Sequence, residues 1–185
     1  VSAEAGLAVG AFDPIVLRRV FAAFPTGVTA LAALVDGEPV GMTASSFVPV
    51  SLDPPLVSFC TALTSTTWPR LRGAARLGIS VLSGSQEGAS RQLASPGAER
   101  FAGLAWYGTP GNAVLLSGAS AWFDCSTEQE IGAGDHRITL LRVHAMGVDP
   151  QVPPLVFHGS RYRRLAGQSP LPSGGSAPDD DPAGR

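Results

Sequence analysis

At 185 residues the chain is long enough for one domain with a sizeable core. Thirteen basic side chains against 15 acidic ones leave a formal charge of −2, so no basic field exists to grip nucleic acid or an anionic membrane. A hydrophobic fraction of 44% with 15% charged residues excludes a wholly disordered chain, and no apolar run approaches the ~18 residues of a membrane-spanning helix.

Residues 1–11 are small and featureless and predict a flexible arm. Asp13-Pro14 reads as a helix start, with aspartate as N-cap and proline in the first helical position. Leu17, Val20, Phe21 and Phe24 follow at helical spacing until Pro25 stops the run. From Gly27 the texture turns to β: a strand over 28–35, an Asp36-Gly37 turn, and a strand over 40–47. Asp53-Pro54-Pro55 introduces another strand over 56–61, and the hydroxyls of 64–67 open a helix at Trp68-Pro69-Arg70-Leu71. A strand over 77–82 precedes a short helix over 86–93, for which Ser85 is the expected cap.

Residues 95–118 are rich in turn formers. Two long strands over 119–130 and 135–148 are joined by Gly132-Ala133-Gly134, and a last strand over 155–158 turns at Gly159-Ser160 and ends near Tyr162. From Ala166 onward Gly, Pro, Ser, Ala and Asp dominate without an aromatic residue, which predicts a disordered tail and leaves 12–165 as the folded domain. Many short strands with few helices predict a mainly β fold, an antiparallel barrel or sandwich.

All the basic residues are arginine, which excludes a Schiff-base lysine, a P-loop lysine and a Ser-Lys dyad. Bound phosphate would have to be held by arginine, hydroxyls and backbone N–H groups. No GxGxxG follows a strand, and GxSxG, HExxH and CxxC are absent, so a Rossmann dehydrogenase and an ordinary serine hydrolase are poor readings. Cys60 and Cys125 lack zinc spacing, and His136, His144 and His158 form no local metal motif. With no basic-then-apolar leader, the expectation is a reduced, cytoplasmic protein without a metal.

Three stretches have chemical content. Gly41-Met42-Thr43-Ala44-Ser45-Ser46-Phe47 offers small, hydroxyl-bearing residues that can run along a planar heterocycle, or simply end a strand with local Ser/Thr-to-backbone bonds. Ser65-Thr66-Thr67 opens a helix, where hydroxyls can complete an anion site with help from Arg70 or Arg72, or cap their own helix. Gly134-Asp135-His136 puts an imidazole beside a glycine turn, where it can meet a nucleotide or be an ordinary half-exposed histidine. Adjacent strand residues point to opposite faces, which argues against a direct Asp135–His136 pair.

Taken in order, several segments resemble the flavin reductase-like family, the small reductases that partner two-component monooxygenases. They are Phe24-Pro25-Thr26-Gly27-Val28-Thr29, Gly41 to Phe47, Ser51-Leu52-Asp53-Pro54-Pro55-Leu56-Val57, Thr66-Thr67-Trp68, Ile79-Ser80-Val81-Leu82 with Gln86, Arg100-Phe101, Gly134-Asp135-His136, and Pro154-Leu155-Val156-Phe157 with Arg161-Tyr162. The resemblance covers about residues 12 to 165. It implies a Greek-key split β-barrel of the FMN-binding type, a homodimer, and hydride transfer from NADH or NADPH to FMN or FAD, with reduced flavin passed to a partner monooxygenase. By the same resemblance Thr43, Ala44, Ser45 and Ser46 line the flavin, while Cys60, Thr61 and Ala62 offer backbone beside it. Ser65, Thr66 and Thr67 receive its phosphate, and His136 meets the nicotinamide nucleotide. Ser80 and Leu141-Arg142-Val143 depart from the usual asparagine and Gly-Arg-Val. Two other readings are a flavin-delivery protein without useful turnover, and a reductase of this family acting on a non-flavin acceptor such as a cobalt corrinoid.

Overall fold

The computed structural model describes residue 10, residues 12–97 and residues 99–165. The expected tail from 166, and all of the expected arm but Gly10, lie outside the described residues.

The chain opens with helix α1 (Pro14–Phe21) and a two-residue strand β1 (Thr26–Gly27), then strands β2 (Thr29–Val35), β3 (Glu38–Ala44), β4 (Val48–Leu52) and β5 (Pro55–Ala62). Helix α2 (Trp68–Leu71), strand β6 (Leu77–Val81) and helix α3 (Glu87–Ala94) follow. Strands β7 (Trp106–Gly108) and β8 (Val114–Leu116) precede the long pair β9 (Ala121–Ala133) and β10 (His136–Val148), and β11 (Leu155–His158) and β12 (Arg161–Arg164) close the order. The fold is therefore mainly β with a few short helices. One seven-stranded sheet runs β3-β2-β6-β9-β10-β5-β4, flanked by a three-stranded sheet β1-β11-β12 and the hairpin β7-β8.

Local chemistry accounts for most of these elements. The Asp13 carboxylate accepts from Ile15 N at 2.6 Å and Val16 N at 3.4 Å, with Pro14 at the helix start. None of the side chains of α1 is buried, and its apolar residues Ile15, Val20 and Phe21 face solvent in the single chain. Asp36 and Gly37 both have positive φ, +54° and +83°, which a two-residue hairpin turn of the primed type requires.

Strand β2 is buried on both faces. Leu31 and Ala33 enter one core with Phe59, Trp68, Ile79 and Leu141, while Ala30 and Ala32 enter a second with Leu82, Leu93, Val114 and Leu155. That two-sided burial explains an unbroken apolar run where a one-sided strand would alternate.

Several expectations need correcting. The strand expected over 40–47 stops at Ala44; after a bend at 45–47 a separate strand, β4, begins and pairs with β5, Val48 opposite Ser58. The turn-rich stretch contains the β7–β8 hairpin, whose Val114 backbone rests against Gly78 of β6. Ser85 does not cap α3; Gln86 occupies that position and its side-chain carbonyl accepts from Ser83 N at 2.9 Å. Gly132 and Ala133 belong to β9, so the connection to β10 is only Gly134-Asp135, with Gly134 at φ +63°.

Cys125 lies in the first core with no exposed surface, and burial together with the neighbouring Asp124 charge pushes its thiol up to about 12. It stays protonated and shielded across the neutral range. Alkylation of the native protein at pH 8, read by peptide mass, should leave Cys125 unmodified until denaturant is added; labelling of the folded protein at this residue would contradict its burial.

Candidate functional site

Strand β3 and its continuation link three groups of residues in succession. At Gly41 the strand borders a cavity of about 310 Å³, which Thr66, Thr67, Arg70, Arg100 and Phe101 help to line. The described residues around it include no carboxylate. Arg100 Nη1 donates to Gly41 O at 3.2 Å and to Thr67 Oγ1 at 2.6 Å, so one guanidinium ties the strand to the hydroxyl loop. Its Nε is buried without a hydrogen-bond partner. Gly41 has no room for a side chain, because a Cβ there would stand 2.7 Å from Phe101 Cζ and 2.9 Å from Leu31 O.

The hydroxyl loop itself is rigidly held. Ser65 Oγ accepts from Trp68 N at 3.1 Å and caps α2, whereas Thr67 at the cap position leaves its own hydroxyl for Arg100. From below, Glu130 fixes the helix: Oε1 accepts from Trp68 Nε1 at 2.7 Å and Oε2 from Arg72 Nη2 at 2.6 Å, with Arg137 Nη1 at 3.4 Å. Glu130 is shared by Arg72 and Arg137, which line a different cavity, and Arg70 and Arg100 are the cations that line the hydroxyl cavity.

Two residues beyond Gly41, Thr43, Ala44 and Ser45 line a smaller cavity of about 170 Å³ with Ser90, Phe157 and Tyr162. The Tyr162 ring is fixed there by a 2.9 Å hydrogen bond to Ser90 Oγ, an edge contact with Phe157 at 5.3 Å, and the Arg91 guanidinium 4.8 Å from its centroid. Thr29 Oγ1 donates to Ala44 O at 3.0 Å and holds the end of β3.

Ser46 then reaches across to β5. Its Oγ accepts from Cys60 N at 2.8 Å and donates to Cys60 O at 3.1 Å. In the β5–β10 register Cys60 stands opposite Ile138 and Ala62 opposite His136, so Cys60, Ala62 and His136 share one face of the sheet. Thr61 points the other way into the core, 2% exposed and with its Oγ1 unpartnered, leaving its backbone alone for the strip.

His136 Nδ1 lies 2.7 Å from Asp135 Oδ1, a direct pair that strand alternation had argued against. Asp135 is a turn residue, so strand alternation does not govern its side chain. The hydrogen bond to His136 holds the Asp135 carboxyl below the usual carboxylate range. With a depressed folded value, the pair contributes above the ordinary carboxylate pKa and is lost as pH falls through the lowered one.

Pairwise links join these groups: Arg100 ties Gly41 of β3 to Thr67 of the loop before α2, Ser46 beyond β3 bonds to Cys60 of β5, and Ala62 of β5 stands opposite His136 of β10. Ser65 lies to one side, lining a cavity of about 120 Å³ with Ala62, Trp68 and Arg137. The histidines do not converge: His144 Nε2 meets Ser126 Oγ at 2.8 Å at a bulge in β10, and no group of three or more His, Cys, Asp or Glu side chains among the described residues is arranged to hold a metal ion. No helix among them is long and apolar enough to cross a membrane. Sequence reasoning assigned no role to Arg100 or Tyr162, though both stand in the resembling segments, and it missed Glu130, whose partners are remote along the chain.

The family profile described as flavin reductase like domain matches residues 21–166. The chain belongs to the flavin reductase-like family.

Among family relatives, the chain is similar to the flavin-dependent monooxygenase reductase subunit HsaB of Rhodococcus jostii, 32% identical over 94% of this chain and 89% of that one. It is 42% identical to the stachydrine N-demethylase reductase subunit Stc3 of Rhizobium meliloti over 72% of this chain. There it spans 59% of the relative's length, and 43% of a further Rhizobium meliloti relative described as a probable flavin reductase. Of solved structures, the NADH:FAD oxidoreductase SgcE6 of Streptomyces globisporus superimposes with a TM-score of 0.78 at 38% identity, over 87% of this chain and all of that one. A structure of SgcE6 with NAD and FAD fragments is also similar, at TM-score 0.78 and 36% identity over 94% of this chain and all of that one.

Proposed function

We propose that this flavin reductase-like protein is an NAD(P)H-dependent flavin reductase that passes reduced flavin to a partner monooxygenase. The observation that carries this reading is the hydroxyl-and-arginine cavity at Gly41, on the strand that continues through Thr43 and Ala44 and leads to Ser46, which is bonded to Cys60 of the β5–β10 pair that carries His136. The fit to a flavin nucleotide rests on that donor set. The Thr66 and Thr67 residues and the guanidinium-bearing Arg70 and Arg100 line a cavity without carboxylates, as a phosphate demands. The names of its relatives, as monooxygenase reductase subunits and an NADH:FAD oxidoreductase, point the same way.

A bound flavin, FMN or FAD, supplies the hydride acceptor and NADH or NADPH the hydride. The chain's own part is alignment. Thr66, Thr67, Arg70 and Arg100 hold phosphate; Ser65 shapes their loop by capping α2. Thr43, Ala44, Ser45 and Ser46 lie along the ring and its side chain, and the backbone at Cys60, Thr61 and Ala62 borders the ring. His136, oriented by Asp135, meets the nicotinamide nucleotide. Hydride transfer asks for two rings in register and no dedicated general base.

The architecture in this reading is a split β-barrel acting as a homodimer. Its support is the set of separate, open cavities, each near or below the ~300 Å³ lower bound of ligand pockets, and the bare apolar residues of α1 and β4, with Leu52 97% exposed.

Anaerobic oxidation of NADH and NADPH with and without added FMN or FAD tests the activity directly; tight flavin binding without turnover on either nucleotide would replace it with a delivery role. In that assay His136→Ala should raise KM for the nicotinamide nucleotide about tenfold, the worth of one good hydrogen bond, while flavin Kd changes less than about twofold. Unaltered nucleotide kinetics would remove His136 from the site.

A further inference from the structure

Strand β9 carries one residue too many. Against β10, Leu141 faces Thr127 and Leu140 faces Gln129, so Glu128 stands unopposed as a bulge. Residues directly opposite in an antiparallel pair share a face, and the bulge resets the alternation of β9. Glu130 comes to stand opposite Thr139, on the face whose Leu141 enters the first core with Trp68. Strict alternation from the core residue Cys125 would have turned it the other way.

The re-aimed carboxylate meets three donors. Oε1 accepts from Trp68 Nε1 at 2.7 Å, and Oε2 from Arg72 Nη2 at 2.6 Å and Arg137 Nη1 at 3.4 Å. Trp68 and Arg72 are the first residue and the C-cap of α2, a four-residue helix too short to stand alone. One side chain on a 13-residue strand grips both ends of that helix. The gripped segment bears the donors of the Gly41 cavity: Thr66 and Thr67 run directly into Trp68, and Arg70 lies between the two held residues. Glu130 itself does not line the cavity.

We propose that, with the Gly41 cavity read as the flavin-phosphate site, Glu130 is its positioning residue and acts through the placement of α2 and the preceding loop, not through its charge. The sign of the effect separates placement from charge. Loss of a carboxylate near an anion site tightens anion binding, and loss of a guanidinium loosens it. Loss of either half of a grip loosens it.

The test measures Kd for FMN and riboflavin by fluorescence titration, and kcat at saturating flavin, in the wild type, Glu130→Gln and Arg72→Gln. Glu130→Gln keeps an oxygen for Trp68 Nε1 and frees two arginine side chains already 49% and 39% exposed, so it should fold. Both variants should bind FMN about five- to tenfold more weakly, the effect of one charge-assisted hydrogen bond. Riboflavin affinity and kcat at saturating flavin should stay within about twofold, since Glu130 touches neither ring nor nucleotide. In Arg72→Gln the loss relative to wild type should persist at 1 M NaCl, where charge effects reach only about 3 Å; this keeps the test decisive should the glutamine variant at 130 fail to fold. Tighter FMN binding by Glu130→Gln, or a loss in Arg72→Gln that vanishes in salt, would overturn the proposal in favour of plain charge. An equal fall for riboflavin would overturn it in favour of a general brace. Equal wild-type affinity for FMN and riboflavin would strike the phosphate site and the proposal with it, whereas a wild-type preference for FMN kept unchanged in both variants would strike the positioning role alone.

Discussion

Replacing Arg100 with alanine should weaken FMN binding about a hundredfold while riboflavin, which has no phosphate, stays within about threefold of its original affinity. The asymmetry follows from what the side chain touches. Its Nη1 is occupied by neutral oxygens, Gly41 O and Thr67 Oγ1, so the positive charge is not cancelled by any carboxylate lining the cavity. A phosphate entering there meets charge in a partly buried setting, where it is screened far less than at the surface. Arg100→Lys should recover part of the loss but not all, because an ammonium cannot bridge Gly41 and Thr67 while also presenting a planar fork. Equilibrium titration of both flavins by fluorescence measures the ratio. An equal fall for riboflavin and FMN would reduce Arg100 to a brace between strand and loop.

Gly78→Ala should destabilise the fold by about 3 kcal/mol, a large share of the ~5–15 kcal/mol that holds a domain of this size together. The added Cβ would overlap Val114 O and stand 2.7 Å from Val114 C and 2.9 Å from Val114 N, all of them backbone atoms. Strand β6 cannot retreat. Gly78 is paired with Ala32 on one side and Asp124 on the other in the middle of the seven-stranded sheet. The β7–β8 hairpin must lift instead, drawing Val114 and Leu116 from the second core and breaking the 2.9 Å bond from Leu116 N to Ser80 Oγ. Denaturant titration should show a lower midpoint with little change in slope. A shift worth less than about 1 kcal/mol would mean that the hairpin yields freely and contributes little to the core.

What the chain reveals on reading depends on how local each cause is. The Asp13-Pro14 helix start and the Asp36-Gly37 hairpin were legible because capping and positive-φ turns are settled within four residues. Strand β4 was not: Val48 to Leu52 follows the hydroxyl strip without a turn signal and contains a proline, and only its pairing with β5 makes it a strand. The three-residue strands β7 and β8 owe their existence to docking on Gly78, which no window of sequence displays. Composition singled out the hydroxyl strip and His136 and resemblance gave them roles, but the Asp135–His136 pair was disfavoured by applying strand alternation to a turn. Glu130 shows the remaining limit. A carboxylate near the end of a strand looks like solvated surface until Trp68 and Arg72, 62 and 58 residues away, close around it.

The bond pair between Ser46 and Cys60 has a further consequence. A serine hydroxyl has one proton and two lone pairs. Cys60 O takes the proton and Cys60 N–H takes one lone pair. Only the second lone pair is left. While this link between the end of β3 and β5 stands, a molecule arriving at the Ser46 hydroxyl meets an acceptor and not a donor, so a group that bonds to that oxygen must bring its own hydrogen.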